Sequence, residues 1–140
     1  MSAAALLGNP ATRPGLRILL AEDEEMLRIA LQGLLRLMGH VTDVVRNGRE
    51  ALEAAMVTPY DVVLLDVQMP EMGGYEAASR IRQDLPQQFM PRIVGISGEP
   101  QERDAYASAG MDAFLAKPVR WSDLAGVLGP QGESSVSDQN

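Results

Sequence analysis

An α/β fold with a parallel sheet is predicted by three features: short apolar runs alternate with longer segments of helical period, most of those runs lack a polar alternate, and acidic residues gather where two of them end. Alternation of this kind is the pattern of strands joined by crossover helices. Continuously apolar runs are those of strands buried on both faces.

The strand-like runs fall at 17–22, 41–46, 61–66, 92–97 and 113–117, and the helical segments at 25–38, 49–57, 75–85, 101–109 and 121–128. Gly39, Gly110 and Gly129 stand where helices commonly end. The first helical segment carries two neighbouring stripes, Leu27, Leu31, Leu34 and Met38, then Met26, Ala30, Gly33 and Leu37. One stripe suffices to cover a sheet. The second is either the edge of a broad buried face or a docking surface, where Gly33 permits close approach despite costing about 1 kcal/mol of helix propensity. Residues 1–15, broken by Pro10, Pro14 and Gly15, read as a flexible arm, and 129–140, polar and Ser-rich, as a disordered tail. That leaves 16–128 as one domain, in keeping with 140 residues.

Composition narrows the function. No apolar run approaches the roughly 20 residues of a spanning helix, and the N-terminus lacks the basic start of a secretory signal, so the expectation is a cytoplasmic protein off the membrane. The absence of cysteine removes thiolate chemistry, so any metal must be held by oxygen. A formal charge of −7, with arginines scattered rather than clustered, argues against nucleic acid as a partner.

In an open α/β sheet, ligands bind beyond the carboxyl ends of the strands. There the first run ends on Glu22, Asp23 and Glu24, and the third on Asp66. If these strands are neighbours, about 5 Å apart, Glu22, Asp23 and Asp66 converge. Converging carboxylates repel unless a cation or a proton joins them. Mg2+ suits such a site because it keeps several waters and shares the rest with phosphate. Asp66 can then serve as a nucleophile toward phosphorus. Lys117, ending the fifth run before Pro118, supplies a counter-charge, and Ser97, ending the fourth, a hydroxyl beside the open Gly98. Taken singly, each has a plainer reading: acids at strand ends cap helices, Ser97 is a loop hydroxyl, and Phe114, Tyr106 and Trp121 are packing residues.

In that ordered set the chain resembles a response regulator receiver domain over about residues 16–128, possessing the acidic pair Glu22-Asp23, the acceptor Asp66, the switch hydroxyl Ser97 and the Lys117-Pro118 pair. The resemblance implies a flavodoxin-like, doubly wound sheet of five parallel strands in the order 2-1-3-4-5, flanked by five helices. It implies Mg2+ held by Asp23, Glu22, Asp66 and the backbone carbonyl of Gln68, with Asp23 the direct ligand and Glu22 the more distant partner. It further implies phosphoryl transfer onto Asp66 from a histidine kinase or histidine phosphotransfer protein docked along Met26, Ala30, Gly33 and Leu37. Catalytic support comes from Lys117 and Ser97, and switching from Ser97 and Phe114, the latter standing where the family often has Tyr. Homodimers through the face of the fourth and fifth helical segments belong to the same set of implications. Gly73 replaces a common Asp or Asn, which predicts a looser loop after Asp66. His40 reads as a surface turn residue, so the donor histidine lies on another protein.

The resulting expectation is a single-domain phosphorelay receiver without DNA-binding output, which catalyses its own phosphorylation and dephosphorylation and is not a turnover enzyme. Two rivals are a binding module that signals without phosphate, which has no need of the acids and Lys117, and an aspartyl-phosphate phosphatase, which lacks its general acid because position 68 is Gln. Residues 74–77 and 110–119 look like those of hybrid-kinase receivers, while Met1 and the short tails favour an independent chain.

Overall fold

The computed structural model describes residues 15–99 and 104–129. Apart from Gly15 and Gly129, the predicted arm and tail lie outside the described residues. Strands β1 (Arg17–Ala21), β2 (Val41–Val45), β3 (Val62–Asp66), β4 (Arg92–Ser97) and β5 (Ala113–Ala116) form one parallel sheet in the order β2-β1-β3-β4-β5. Helices α1 (Glu25–Leu37), α2 (Gly48–Val57), α3 (Gly74–Asp84) and α4 (Trp121–Leu128) cover it, and a 3-10 turn spans Gln87–Phe89.

Strand alternation sends side chains to two apolar layers. Leu19, Ala21, Val63, Leu65 and Ile93 pack with Ala51, Ala55, Ala77 and Ile81 of α2 and α3. Ile18, Leu20, Leu64, Val94 and Ile96 pack with Leu31 and Leu35 of α1 and Leu124 and Leu128 of α4. The central strands β1, β3 and β4 are buried along nearly all their length, as predicted, but β2 and β5 are partly exposed. Each of these edge strands has a neighbour on one side only.

The helix expected at 101–109 is not present as such over 104–109, so among the described residues there are four α-helices where five were predicted. Asp104–Gly110 instead form irregular turns closed by Ala109 N–H to Ala105 O (3.1 Å) and Gly110 N–H to Ala107 O (3.0 Å). Side chains compete for the backbone here. The Ser108 hydroxyl also donates to Ala105 O (3.1 Å), while the Ser79 hydroxyl and Arg82 Nε of α3 bond the terminal carbonyls of Ala109 (3.3 Å) and Gly110 (2.8 Å). Gly110, at φ +95°, ends the segment.

Local chemistry sets the elements near the strand ends. Asn47 caps α2 by accepting from Glu50 N–H (2.8 Å), while the Glu50 carboxylate accepts from Arg46 N–H (2.9 Å). At the start of α3, Gly74 N–H donates to Val67 O (2.9 Å), and a Cβ at Gly74 would overlap Asp66 O. The loop after Asp66 is therefore folded closely back onto β3 at Gly74.

Candidate metal and phosphoryl site

Three carboxylates and one ammonium meet at the carboxyl end of the sheet. Asp66 is the last residue of β3, 3% exposed, and Glu22 follows β1, fully buried. The strands bearing them are hydrogen-bonded neighbours. Glu22, Asp23 and Asp66 each present a carboxylate oxygen, all within 4.8 Å of one another. Lys117, directly after β5, reaches across the sheet end to Asp66 Oδ2 at 3.1 Å and to Glu22 Oε1 at 3.6 Å. Asp66 Oδ1 accepts from Gln68 N–H (3.1 Å), so both Asp66 oxygens are held. The Lys117-Pro118 peptide bond is cis.

The acidic pair is held by its own backbone and by α1. Glu22 Oε2 accepts from Glu24 N–H (3.1 Å), and Arg28 Nη1 donates to the carbonyls of Glu22 (3.0 Å) and Asp23 (3.4 Å). Glu22 Oε1 is buried without a hydrogen bond. Burial, and then the neighbouring Asp66 carboxyl, push the Glu22 carboxyl up to about 7, against the opposing pull of Glu24 N–H and Lys117. Burial disfavours the Lys117 ammonium, but its hydrogen bond to Asp66 and the charges of Asp66 and Glu22 outweigh that and raise its pKa.

The donor set fits Mg2+. It is composed wholly of oxygen, it carries excess negative charge, one buried carboxylate oxygen lacks a donor, and Asp23 stands exposed at the mouth. Asp23, Asp66 and Glu22 are the residues that would hold the ion.

Ser97 ends β4 next to the same site, buried, with its Oγ accepting from Glu99 N–H (2.9 Å). Phe114, in β5, is half-buried against the α2–α3 layer, its ring 5.6 Å from that of Tyr106 and tilted by 40°. The second stripe of α1 lies in solvent: Met26 is 74% and Leu37 77% exposed, and Ala30 and Gly33 are exposed with them. Of the two readings of that stripe, the buried face is thereby set aside. Ile29 joins the same surface, a residue outside either predicted stripe. Arg28 was likewise missed, since an arginine near a helix start gives no sign that it grips carbonyls before it. His40 corrects a reading: it is buried, and its Nδ1 accepts from Leu16 N–H (3.2 Å).

Residues 18–128 match the model of the response regulator receiver domain, and the chain belongs to that family. It is 35% identical over 116 residues to the aerobic respiration control sensor protein ArcB of Escherichia coli, covering 82% of this chain but only 15% of that protein. It is 38% identical over 122 residues to the two-component response regulator ORR41 of rice, covering 83% of this chain and 94% of the relative. Among solved structures, the receiver domain of a Pseudomonas aeruginosa sensor histidine kinase, with magnesium coordinated in its active-site cleft, is similar with a TM-score of 0.75 at 29% identity, covering 81% of this chain and 94% of that one. The chain is thus a receiver domain of two-component signalling with a CheY-like, flavodoxin-type fold and a site that fits Mg2+. Among the described residues no helix is long and apolar enough to cross a membrane.

Proposed function

We propose that this receiver accepts a phosphoryl group onto Asp66 from a phosphohistidine on a histidine kinase or histidine phosphotransfer protein, and changes conformation to control partner binding. The observation that carries the reading is a buried carboxylate at a strand end, bonded to an ammonium and flanked by two further acids within one ion's reach.

A carboxylate oxygen of Asp66 attacks phosphorus; the P–N bond to the donor imidazole breaks, and the ring nitrogen leaves with the electron pair. If the other ring nitrogen carries a proton the imidazole leaves neutral; if it does not, the departing nitrogen takes a proton from solvent. Lys117 is positioned to follow the developing charge on the phosphoryl oxygens, since its ammonium already bonds Asp66. Mg2+ would supply positive charge to those oxygens. Gln68 N–H and Lys117 hold the acceptor carboxylate in place before transfer. Ser97, whose hydroxyl can also donate, would bond the phosphoryl group and carry the change toward Phe114. Hydrolysis of the acyl phosphate by water would close the cycle.

The exposed stripe Met26, Ala30, Gly33 and Leu37 supports docking of the donor along α1. The face between the 104–110 turns and α4, with half-exposed Trp121, is a second surface through which copies of the domain could pair. Under this reading the domain works in the cytoplasm.

Incubation with a small phosphodonor and Mg2+ tests the proposal. The expected result is a gain of one phosphoryl mass, base-labile and hydroxylamine-sensitive, absent in Asp66→Asn. No gain in the wild type would favour a binding module, and repeated turnover of a phosphate ester would favour an enzyme.

A further inference from the structure

Strand β4 carries a glycine where the chain makes no turn. Gly95 is buried in mid-strand, paired with Leu65 of β3 on one side and Phe114 of β5 on the other. A glycine there weakens a strand, having no side chain to pack and the most backbone freedom to lose. Its place is taken by other residues. A Cβ at position 95 would overlap Met111 Sδ and lie 3.1 Å from Met111 Cε and 3.2 Å from Phe114 Cδ1. Met111 is buried in the α2–α3 layer, Phe114 packs against that layer, and the Phe114 ring meets Tyr106. Bare strand, thioether and two rings form a stack that begins two residues before Ser97 and ends in the β4–β5 connection.

The backbone beside Met111 is anchored. Asp112 N–H donates to Ile93 O (2.7 Å), and the Asp112 carboxylate accepts from Ile93 N–H (2.8 Å) and from Arg82 Nη2 (2.7 Å). Arg82 also donates to Gly110 O (2.8 Å) and Pro91 O (3.2 Å). With its neighbours tied to β4 and α3, a methyl group at 95 is met by movement of the Met111 side chain and the Phe114 ring.

We propose that Gly95 is a positioning residue for the switch: its missing side chain seats Met111 and Phe114, and through them Tyr106, and so sets the resting arrangement of residues 104–112. It acts on how phosphorylation is read out rather than on phosphoryl acceptance, because the contacts a methyl would make are with Met111 and Phe114, away from Asp66, Lys117 and the acidic pair. The functional half of this inference rests on the reading of Asp66 given above.

Gly95→Ala, Met111→Ala and the double variant are compared with wild type by amide hydrogen exchange, before and after treatment with a small phosphodonor and Mg2+. Overpacking by one methyl should speed exchange over residues 104–116 about tenfold in Gly95→Ala, with residues 48–57 unchanged. The difference that phosphorylation makes over 104–116 should shrink at least about twofold, while phosphoryl uptake stays within about twofold of wild type. The double variant should return toward wild-type exchange, the alanine methyl filling space left by the thioether. Exchange in Gly95→Ala equal to wild type, a rise spread equally into 48–57, an undiminished phosphorylation difference, or a double variant no better than Gly95→Ala would each overturn the proposal. If Gly95→Ala does not fold, recovery of folding in the double variant supports the seat, and its failure overturns it. A wild type that takes up no phosphoryl would sink the assignment of Asp66 while leaving the comparison of unphosphorylated variants decisive for Gly95.

Discussion

Lowering the pH should displace Mg2+ by protonating Glu22, and the size of the effect follows from its burial. With the carboxyl pushed up to about 7, Glu22 is mostly ionised near pH 8, but only about one molecule in eleven is ionised near pH 6. If cation binding needs the ionised form, affinity should fall about tenfold between those conditions, and binding near pH 6 should release about one proton per ion. Calorimetric titration with Mg2+ in buffers of different ionisation enthalpy counts that proton directly. Glu22→Gln removes the titrating group, so its Mg2+ affinity should be weaker at pH 8 and nearly flat down to pH 6. Zero proton release near pH 6, or a Glu22→Gln variant with the wild-type slope, would refute the reasoning.

The same group has a stability signature without Mg2+. Its folded pKa lies above the ordinary 4.5, so the fold binds this proton more tightly than the unfolded chain does. Its contribution is most favourable below about pH 4.5 and is lost as pH rises through about 7, a swing of roughly 3 kcal/mol at most. Denaturant unfolding of wild type against Glu22→Gln across that window isolates it, and saturating Mg2+ should reverse part of the loss.

Other outcomes follow from the same geometry. Lys117→Ala should slow phosphoryl uptake about a hundredfold or more, since it removes the ammonium that meets the developing charge, as measured by mass gain over time. Ala30→Glu or Leu37→Glu should slow transfer from the histidine partner while leaving uptake from a small phosphodonor unchanged, because both residues are exposed on α1. Burial lowers the pKa of His40, so its contribution to stability is present above about 6.5 and is lost as pH falls through its depressed folded value. His40→Asn, which can still accept from Leu16 N–H, should flatten that acid limb in denaturant titrations. Leu35→Ala, emptying a fully buried position between α1 and the sheet, should cost about 2–5 kcal/mol of unfolding free energy.

The strand ends were legible because their chemistry is local: a run of apolar residues that stops on a carboxylate states both where the strand ends and what it offers there. Glu22, Asp66, Ser97 and Lys117 lie far apart in sequence, yet parallel strands bring all their carboxyl ends to one edge, so the order of elements was enough to gather them. What depended on side-chain partners distant in sequence was not legible. The burial of His40 turns on an N–H 24 residues away. The 101–109 segment has helical composition, but over 104–110 it is held in turns, with Ser79 and Arg82 of α3 bonding the carbonyls of Ala109 and Gly110. Gly95 did leave a sign, a glycine inside an otherwise apolar strand, but what fills its place comes from Met111 and Phe114 on the next connection and strand.

Charge explains why these residues belong together rather than merely near one another. Asp66, Asp23 and Glu22 against Lys117 leave the ionised site two charges short of neutrality, which a divalent cation supplies. Protonation of Glu22 removes one of those charges, so proton and cation compete for a single deficit. A lysine alone cannot neutralise the three acids, and its bond to Asp66 keeps that carboxylate oriented but partly masked. On the proposed reading the site is poised: it holds Asp66 in place at rest, and a cation would offset its charge before another negative group approaches. That requirement is why Mg2+ dependence, its loss at low pH and the fate of Lys117→Ala should move together in one set of experiments.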